Sequence, residues 1–492
     1  MRLSDMLSDL LPRANLSKKL NLDMMVEGLT CDSRKVRPGY VFAAFNGTEA
    51  NGAAYIKEAT AKGACAVLAE AGEKEKADVP LMLSEQPRKT YAHMAARFFQ
   101  HAPEQIVAVT GTNGKTSVAE FYRQIAQQLG QKAASLGTMG VTGATVAEAF
   151  SHTTPEPAVL HAVLRDLHFA GITHLAMEAS SHGLSQFRMD GVSLRAAAFT
   201  NLTRDHLDYH QTQAAYFDAK ARLFTDLLGV DGVAIINLDG AGADEMLAQV
   251  KASGKKVMTV GTSEQAQLQM ANITTAPQGI EVSLRFEGQE YQVTLPIIGH
   301  FQVENIGCAV GLGLVSGFEL ADMASVLPFV TGAKGRLEKA GVTAQGATLY
   351  IDYAHTPDAL EQVLTNLKPH CSGKIICVFG CGGDRDVGKR PEMGEVVARL
   401  ADVAIVTDDN PRKEDPAAIR ADVMTGCPDA ENIADRAKAI AHGISRLGDG
   451  DILLIAGKGH ENQQLIGDET LPFSDEGTVR AILRSQAAGE TV

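Results

Sequence analysis

The sequence predicts an α/β protein in three domains, and three observations support this. At 492 residues the chain is too long for one ordinary hydrophobic core. Short apolar runs rich in β-branched residues alternate with helical stretches, the rhythm of mostly parallel sheets covered by helices. One such run, Ile106-Val107-Ala108-Val109-Thr110, stops at a Gly-rich turn, and a Lys-Thr pair then opens a helix. The domains expected are residues 1–88, a small α/β unit; 89–333, a mostly parallel sheet carrying the Gly-rich turn; and 334–492, a Rossmann-like α/β unit.

In the first block, strands are predicted at Tyr40-Val41-Phe42-Ala43-Ala44-Phe45 and Ala66-Val67-Leu68-Ala69, with helices and turns between them. In the second, strands are expected at 106–110, 174–178, 197–201 and 232–237. Residues 268–295 alternate apolar with polar, in Ile280-Glu281-Val282-Ser283-Leu284 and Tyr291-Gln292-Val293-Thr294-Leu295, which predicts an antiparallel insert. The third block repeats the strand–helix rhythm, with strands at 348–352, 374–379, 403–407 and 451–456. Ligands should gather at the C-terminal ends of such strands.

The turn at Gly111-Thr112-Asn113-Gly114-Lys115-Thr116-Ser117 has the chemistry of a nucleotide-phosphate cradle. Backbone N–H groups line it, a helix N-terminus adds positive potential, the Lys ammonium reaches terminal phosphates, and the Thr hydroxyl can bind Mg²⁺. Val118, Phe121, Tyr122, Ile125 and Leu129 continue the helix, and Gly130 is placed to end it. The standard pattern has a further Gly six residues before the Lys, where this chain has Val109. A bare Gly-Lys-Thr turn also occurs as an ordinary connection, but the strand before and the helix after favour phosphate binding.

Polar clusters sit where other strands end. In the second block these are Glu178-Ala179-Ser180-Ser181-His182-Gly183 and Asn201-Leu202-Thr203-Arg204-Asp205-His206-Leu207-Asp208-Tyr209-His210. A carboxylate and an imidazole beside a phosphate loop suit a metal, so Glu178 and His206 are expected to be metal ligands. Asp205 and Asp208 read better as helix caps. In the third block the clusters are Tyr353-Ala354-His355-Thr356-Pro357-Asp358, Gly380-Cys381-Gly382-Gly383-Asp384-Arg385-Asp386, Thr407-Asp408-Asp409-Asn410-Pro411-Arg412 and Ala456-Gly457-Lys458-Gly459-His460-Glu461. Four such turns on one sheet suggest a ligand crevice, and two Arg with Asn and Glu suit a small zwitterion.

Composition narrows the classes. With 45% hydrophobic and 21% charged residues the chain is globular. A net charge of −14 disfavours nucleic acid and anionic membranes, but leaves room for an anionic substrate in a locally basic pocket. Seven scattered cysteines read as reduced thiols, and Cys377 with Cys381 as packing groups, since no second pair at ligand spacing accompanies them. No signal peptide or membrane-spanning stretch is expected, which implies a cytoplasmic protein.

These motifs, together with Thr153-Thr154-Pro155, Gly299-His300-Phe301-Gln302-Val303-Glu304-Asn305 and Gly335-Arg336-Leu337-Glu338, resemble the Mur ligase family, and within it the diaminopimelate-adding branch. The similarity runs through all three blocks in order. It accounts for Val109, because that family uses a shorter phosphate loop. Gln302 and Ala179 depart from the usual Asn and Val.

The resemblance implies ATP-dependent ligation of meso-2,6-diaminopimelate to UDP-N-acetylmuramoyl-L-alanyl-D-glutamate through an acyl phosphate, in peptidoglycan precursor synthesis. Lys115, Lys220, His206 and Glu178 would be the catalytic set, with Lys220 carrying a CO₂-derived carbamate and Thr116, Glu178, His206 and Lys220 holding Mg²⁺. Bottom-up, a lone helical Lys such as Lys220 is usually solvated. ATP would meet residues 111–117, Asn305, Arg336 and His355. The UDP-substrate would meet Cys31, Ser33, Thr48, Glu49, Ala50, Thr153, Thr154, Ser180, Gln186 and Arg188. The incoming amino acid would meet Arg385, Asp409, Asn410, Pro411, Arg412, Gly457 and Glu461. Partners would be these small molecules alone, with neither nucleic acid nor membrane insertion, and the protein would be a monomer. Alternatives are a lysine-adding member of the family, a folylpolyglutamate synthetase-like ligase, and a nucleotide-driven switch or transport ATPase. No Asn-Lys-x-Asp guanine-reading motif supports the last.

Overall fold

The computed structural model describes residues 1–12, 15–18, 20–45, 51–71, 80–145, 150, 152–276 and 279–488. A four-stranded parallel sheet comes first, ordered Gly28–Thr30, Tyr40–Ala44, Ala66–Glu70, Leu81–Ser84. The helix Pro87–Phe99 packs Tyr91 and Met94 into its core.

The second sheet has ten strands. At its centre Gln105–Thr110 lies between Leu194–Phe199 and His174–Glu178, both parallel to it. Alternation along this strand divides the core. Val107 and Val109 pack with Val118, Phe121 and Ile125 of helix Lys115–Gln128. Ile106 and Ala108 pack on the opposite face with Leu160, Val163 and Leu167 of helix Pro157–Phe169. Val109 is therefore a fully buried core residue, not part of the turn.

Residues 268–295 form three strands, antiparallel to one another, as expected. They are not a separate insert: Leu268–Ala276 pairs parallel with Lys256–Gly261 and extends the same sheet to its edge. The strand expected at 197–201 is Leu194–Phe199 instead. Thr200 and Asn201 leave the sheet to hold the phosphate loop: Thr200 Oγ1 donates to the Asn113 carbonyl at 2.6 Å, and Asn201 Oδ1 accepts from the Asn113 N–H at 2.9 Å.

The third sheet has six strands, in the order Glu338–Val342, Thr348–Asp352, Ile452–Ala456, Ile375–Phe379, Val403–Val406, Glu431–Asn432, with only the first antiparallel to its neighbour. A hairpin, Gln463–Ile466 with Glu469–Pro472, follows it. Cys377 and Cys381 are buried in this domain's apolar core, in keeping with packing thiols. Among the described residues no helix is long and apolar enough to cross a membrane.

Candidate active site

The loop after Gln105–Thr110 turns at Gly111 (φ +150°) and Gly114 (φ +87°). Side chains there would strike the Thr200 hydroxyl and the Asn305 amide. Glycine therefore lets the loop pack tightly while its backbone faces the cleft. Lys115 folds back on the loop, its Nζ donating to the carbonyls of Gly111 at 2.9 Å and Thr112 at 2.8 Å. Thr116 Oγ1 donates to Glu178 Oε1 at 3.0 Å and accepts from Arg336 Nη2 at 3.1 Å. Glu178 is fixed further by the Thr138 N–H at 2.9 Å and the Thr138 hydroxyl at 3.2 Å.

Lys220, on helix Gln213–Arg222, is 1% exposed, and its Nζ donates to the Gly111 carbonyl at 2.7 Å. Burial first, and nearby Lys115 second, hold its pKa well below that of ordinary lysine, which favours the neutral amine. This lysine is thus not the solvated side chain that helical position alone suggests. His206 adopts φ +53°, rare for a side-chain-bearing residue, and its Nε2 lies 3.4 Å from Asp205 Oδ2. Burial pushes His206 down against the opposing pull of Asp205, so the imidazole is neutral and able to ligate a metal. Asp205 Oδ1 accepts from the His206 N–H at 2.9 Å, and the carboxylate faces the imidazole as well as the helix start. Asp205 is therefore a site residue, contrary to its reading as a simple cap.

Elements of the third domain, with helix His300–Val315 of the second, complete the site. Arg336 lies 4.3 Å from the Tyr353 ring centroid. His355 Nδ1 is 2.8 Å from the Tyr353 carbonyl, and Asn305 Nδ2 donates to Gln302 Oε1 at 2.9 Å. Asp358, in the first turn of Pro357–Leu367, accepts from Asn113 Nδ2 at 2.9 Å and from the Thr203 hydroxyl at 3.3 Å, joining the phosphate loop to the third domain.

One cleft of about 990 Å³ is lined by residues 112–117, Thr153, Glu178, Ser180, Arg188, His206, Lys220, Asn305, Arg336, His355, Arg385, Asp409, Asn410, Arg412, Gly457 and Glu461. Gly111, Thr154, Gln186 and Pro411 support its walls without lining it. Thr154 Oγ1 is 3.0 Å from Ser180 Oγ, Arg188 Nη1 donates to the Thr154 carbonyl at 2.8 Å, and Gln186 Oε1 accepts from Arg188 Nη2 at 2.7 Å. The Pro411 carbonyl faces Gly383 closely enough to bar a side chain there. Cys31 and Ser33 lie off the cleft: Cys31 Sγ contacts Glu156 Oε2 at 3.4 Å and Ser33 Oγ donates to Glu58 Oε2 at 3.1 Å. Thr48, Glu49 and Ala50 lie outside the described residues.

In the same cleft, Asn410 Nδ2 donates to Glu461 Oε2 at 2.8 Å, and Arg412 Nη1 donates to the Gly383 carbonyl at 2.7 Å. Thr138, Asp205, Asp358 and Lys458 also belong to these networks and lie outside the set expected from sequence. Asp205, Asp358 and Lys458 stand in strand-end polar clusters, Lys458 also between two glycines, whereas Thr138 has no local signal.

A phosphate loop on one sheet and charged strand-end residues of another line one cleft, an arrangement suited to an enzyme that joins two molecules at the expense of a nucleotide. The family models agree in chain order: "Mur ligase family, catalytic domain" matches residues 25–99, "Mur ligase middle domain" residues 109–313, and "Mur ligase, glutamate ligase domain" residues 335–459. The chain belongs to the Mur ligase family and is an ATP-dependent, amide-bond-forming ligase. Among its relatives, the UDP-N-acetylmuramoyl-L-alanyl-D-glutamate--2,6-diaminopimelate ligase of Agrobacterium fabrum is 49% identical, over 93% of each chain. That of Rhizobium meliloti is 46% identical, covering 98% of this chain and 99% of its own. A solved structure of a ligase of that name shares 34% identity and a TM-score of 0.70, covering 99% of both chains.

Proposed function

We propose that this chain joins meso-2,6-diaminopimelate to the D-Glu side-chain carboxylate of UDP-N-acetylmuramoyl-L-alanyl-D-glutamate, as a cytoplasmic monomer. The observation that carries this reading is that the phosphate loop and Asp409, Asn410, Arg412 and Glu461 line one cleft. A carboxylate oxygen attacks the γ-phosphorus of ATP and ADP leaves, giving an acyl phosphate. The diaminopimelate amine then attacks the acyl carbon, and phosphate departs from the tetrahedral intermediate with the bridging oxygen.

The protein contributes position and charge. Lys115 turns from its own loop carbonyls to the β- and γ-phosphates. Asn305 and His355 flank the nucleoside. Arg336 bridges Thr116 and Tyr353 and so ties the third domain to the phosphate site. Thr153, Thr154, Ser180, Gln186 and Arg188 orient the muramoyl-dipeptide, while Cys31 and Ser33, with Thr48, Glu49 and Ala50, hold the uridine end. Arg385, Asp409, Asn410, Pro411, Arg412, Gly457 and Glu461 hold diaminopimelate, with Arg412 on the carboxylate that lysine lacks.

The donor set fits Mg²⁺. The Thr116 hydroxyl and Glu178 carboxylate are 3.0 Å apart, and Mg²⁺ commonly takes one or two protein oxygens with phosphate oxygens completing its shell. Neutral His206 and the buried amine of Lys220, the form that adds CO₂ and loses a proton to become a carbamate, fit a second ion. When bound, these ions screen phosphate charge and supply electrophilic assistance at phosphorus.

The test is to incubate the protein with ATP, Mg²⁺ and the UDP-dipeptide, offer diaminopimelate or lysine, and weigh the product. A diaminopimelate tripeptide with matching ADP release supports the reading; a lysine product, or none, refutes it.

A further inference from the structure

The turn after strand Ile452–Ala456 carries a buried cation to which the reaction above gives no role. Gly457 and Gly459 flank Lys458 at φ +115° and +53°. Side chains at these positions would meet Asp409 on one side, and the Gly335 carbonyl and Tyr353 on the other. The pinched turn directs Lys458 inward, where its side chain is 0% exposed and lines no part of the cleft. A buried ammonium is costly unless its hydrogens are used. Lys458 Nζ donates to Asn410 Oδ1 at 3.0 Å and to Glu461 Oε2 at 2.9 Å. Asn410 Nδ2 donates to the same Glu461 oxygen at 2.8 Å, and the Leu465 N–H donates to Asn410 Oδ1 at 3.0 Å. Two donors on Oδ1 dictate which way the Asn410 amide faces, and two donors on Oε2 fix the Glu461 carboxylate.

We propose that Lys458 is the positioning residue of the incoming-amino-acid pocket: it closes a three-membered network that sets the Asn410 amide and the Glu461 carboxylate, without touching the substrate. This rests on the assignment of that pocket under Proposed function. Lys458 also tips the pocket's charge: with it, Arg385, Arg412 and Lys458 outnumber Asp409 and Glu461, and without it the two signs are equal, a weaker field for a dicarboxylate. Removing it leaves the Asn410 amide held by the Leu465 N–H alone at Oδ1 and takes one of two donors from the Glu461 carboxylate, loosening both at a site where they must match an amino acid's fixed centre.

The experiment is steady-state kinetics on the full chain, varying each of the three substrates, for wild type, Lys458→Met, Asn410→Ala and the double variant. Lys458→Met should raise KM for diaminopimelate on the order of 30-fold, the loss expected when a buried polar network loses one member. The KM values for ATP and the UDP-dipeptide should stay within about threefold. In the Asn410→Ala background, Lys458→Met should add less than about threefold, because the network is already broken. Should Lys458→Met not fold, the gentler Lys458→Gln, which keeps polar hydrogens near Asn410, should show the same split at smaller size. An unchanged KM for diaminopimelate, a parallel rise in all three, full multiplicativity with Asn410→Ala, or loss of folding in both Lys458 variants would overturn the proposal. Failure of the pocket assignment itself is distinct, because it appears in the wild-type arm as no turnover of diaminopimelate.

Discussion

Arg412→Ala offers a sharp test of substrate selection. Diaminopimelate and lysine differ by one carboxylate at the far end. Arg412 is half-buried at φ +52°, a backbone conformation costing of order 1 kcal/mol that functional sites often retain. One guanidinium nitrogen is engaged by the Gly383 carbonyl at 2.7 Å, which aims the remainder of the group. Burial, then Arg385 nearby, lower its pKa against the opposing pull of Asp409 and Glu461. Leaving such a group unpaired typically costs about 2–5 kcal/mol when fully buried. Half-burial places Arg412 at the lower end, about 2–3 kcal/mol, or roughly 30–150-fold in kcat/KM. The assay is kcat/KM for both amino acids at saturating ATP and UDP-dipeptide. Arg412→Ala should lose that factor on diaminopimelate and change little on lysine. A wild-type enzyme that takes lysine equally well, or a variant with an unchanged ratio, would refute the role.

Three further outcomes are expected. Lys115→Ala should fold normally and lose on the order of 10²–10³ or more in phosphate release, measured by coupled assay; near-normal turnover would remove Lys115 from the chemistry. Lys220 should give a carbamate carbon signal by NMR after incubation with ¹³C-bicarbonate, absent in Lys220→Ala, and bicarbonate should restore activity to CO₂-depleted enzyme; a wild-type spectrum without that signal contradicts the modification. Burial pushes the His161 pKa down to about 4 from an ordinary 6.5, so between those values the unfolded chain binds the proton and the folded one does not. Stability should therefore fall as pH drops from about 6.5 to 4, by about 3 kcal/mol from this residue. Urea unfolding of wild type against His161→Phe should show a shallower acid loss in the variant, and equal slopes would contradict it.

The strands were legible because buried parallel strands are continuous apolar runs. Thr348–Asp352 and His174–Glu178 lie where the apolar pattern placed them. The ends of strands were less so. Asn201 continues a strand pattern in sequence, but its amide holds the phosphate loop, a long-range contact with no local signature. Val109 departs from the usual pattern because it belongs to the core. Asp205 reads as a cap because capping is a local rule, whereas its facing of His206 depends on a left-handed turn that has no signal in the neighbouring residues. Asp358 acts between domains, and Lys220 is buried by the loop it reaches, so neither role is written in its neighbours. The hairpin at 463–472 is short and exposed, without an apolar run to announce it.

Labelling both oxygens of the D-Glu side-chain carboxylate with ¹⁸O tests the central chemistry most directly. Attack of that carboxylate on the γ-phosphorus leaves one labelled oxygen bridging carbon and phosphorus, and this oxygen departs with phosphate when the diaminopimelate amine displaces it. Mass spectrometry should find one ¹⁸O in each inorganic phosphate released and one in the new amide. Unlabelled phosphate, with the second label lost to water instead, would contradict the acyl phosphate.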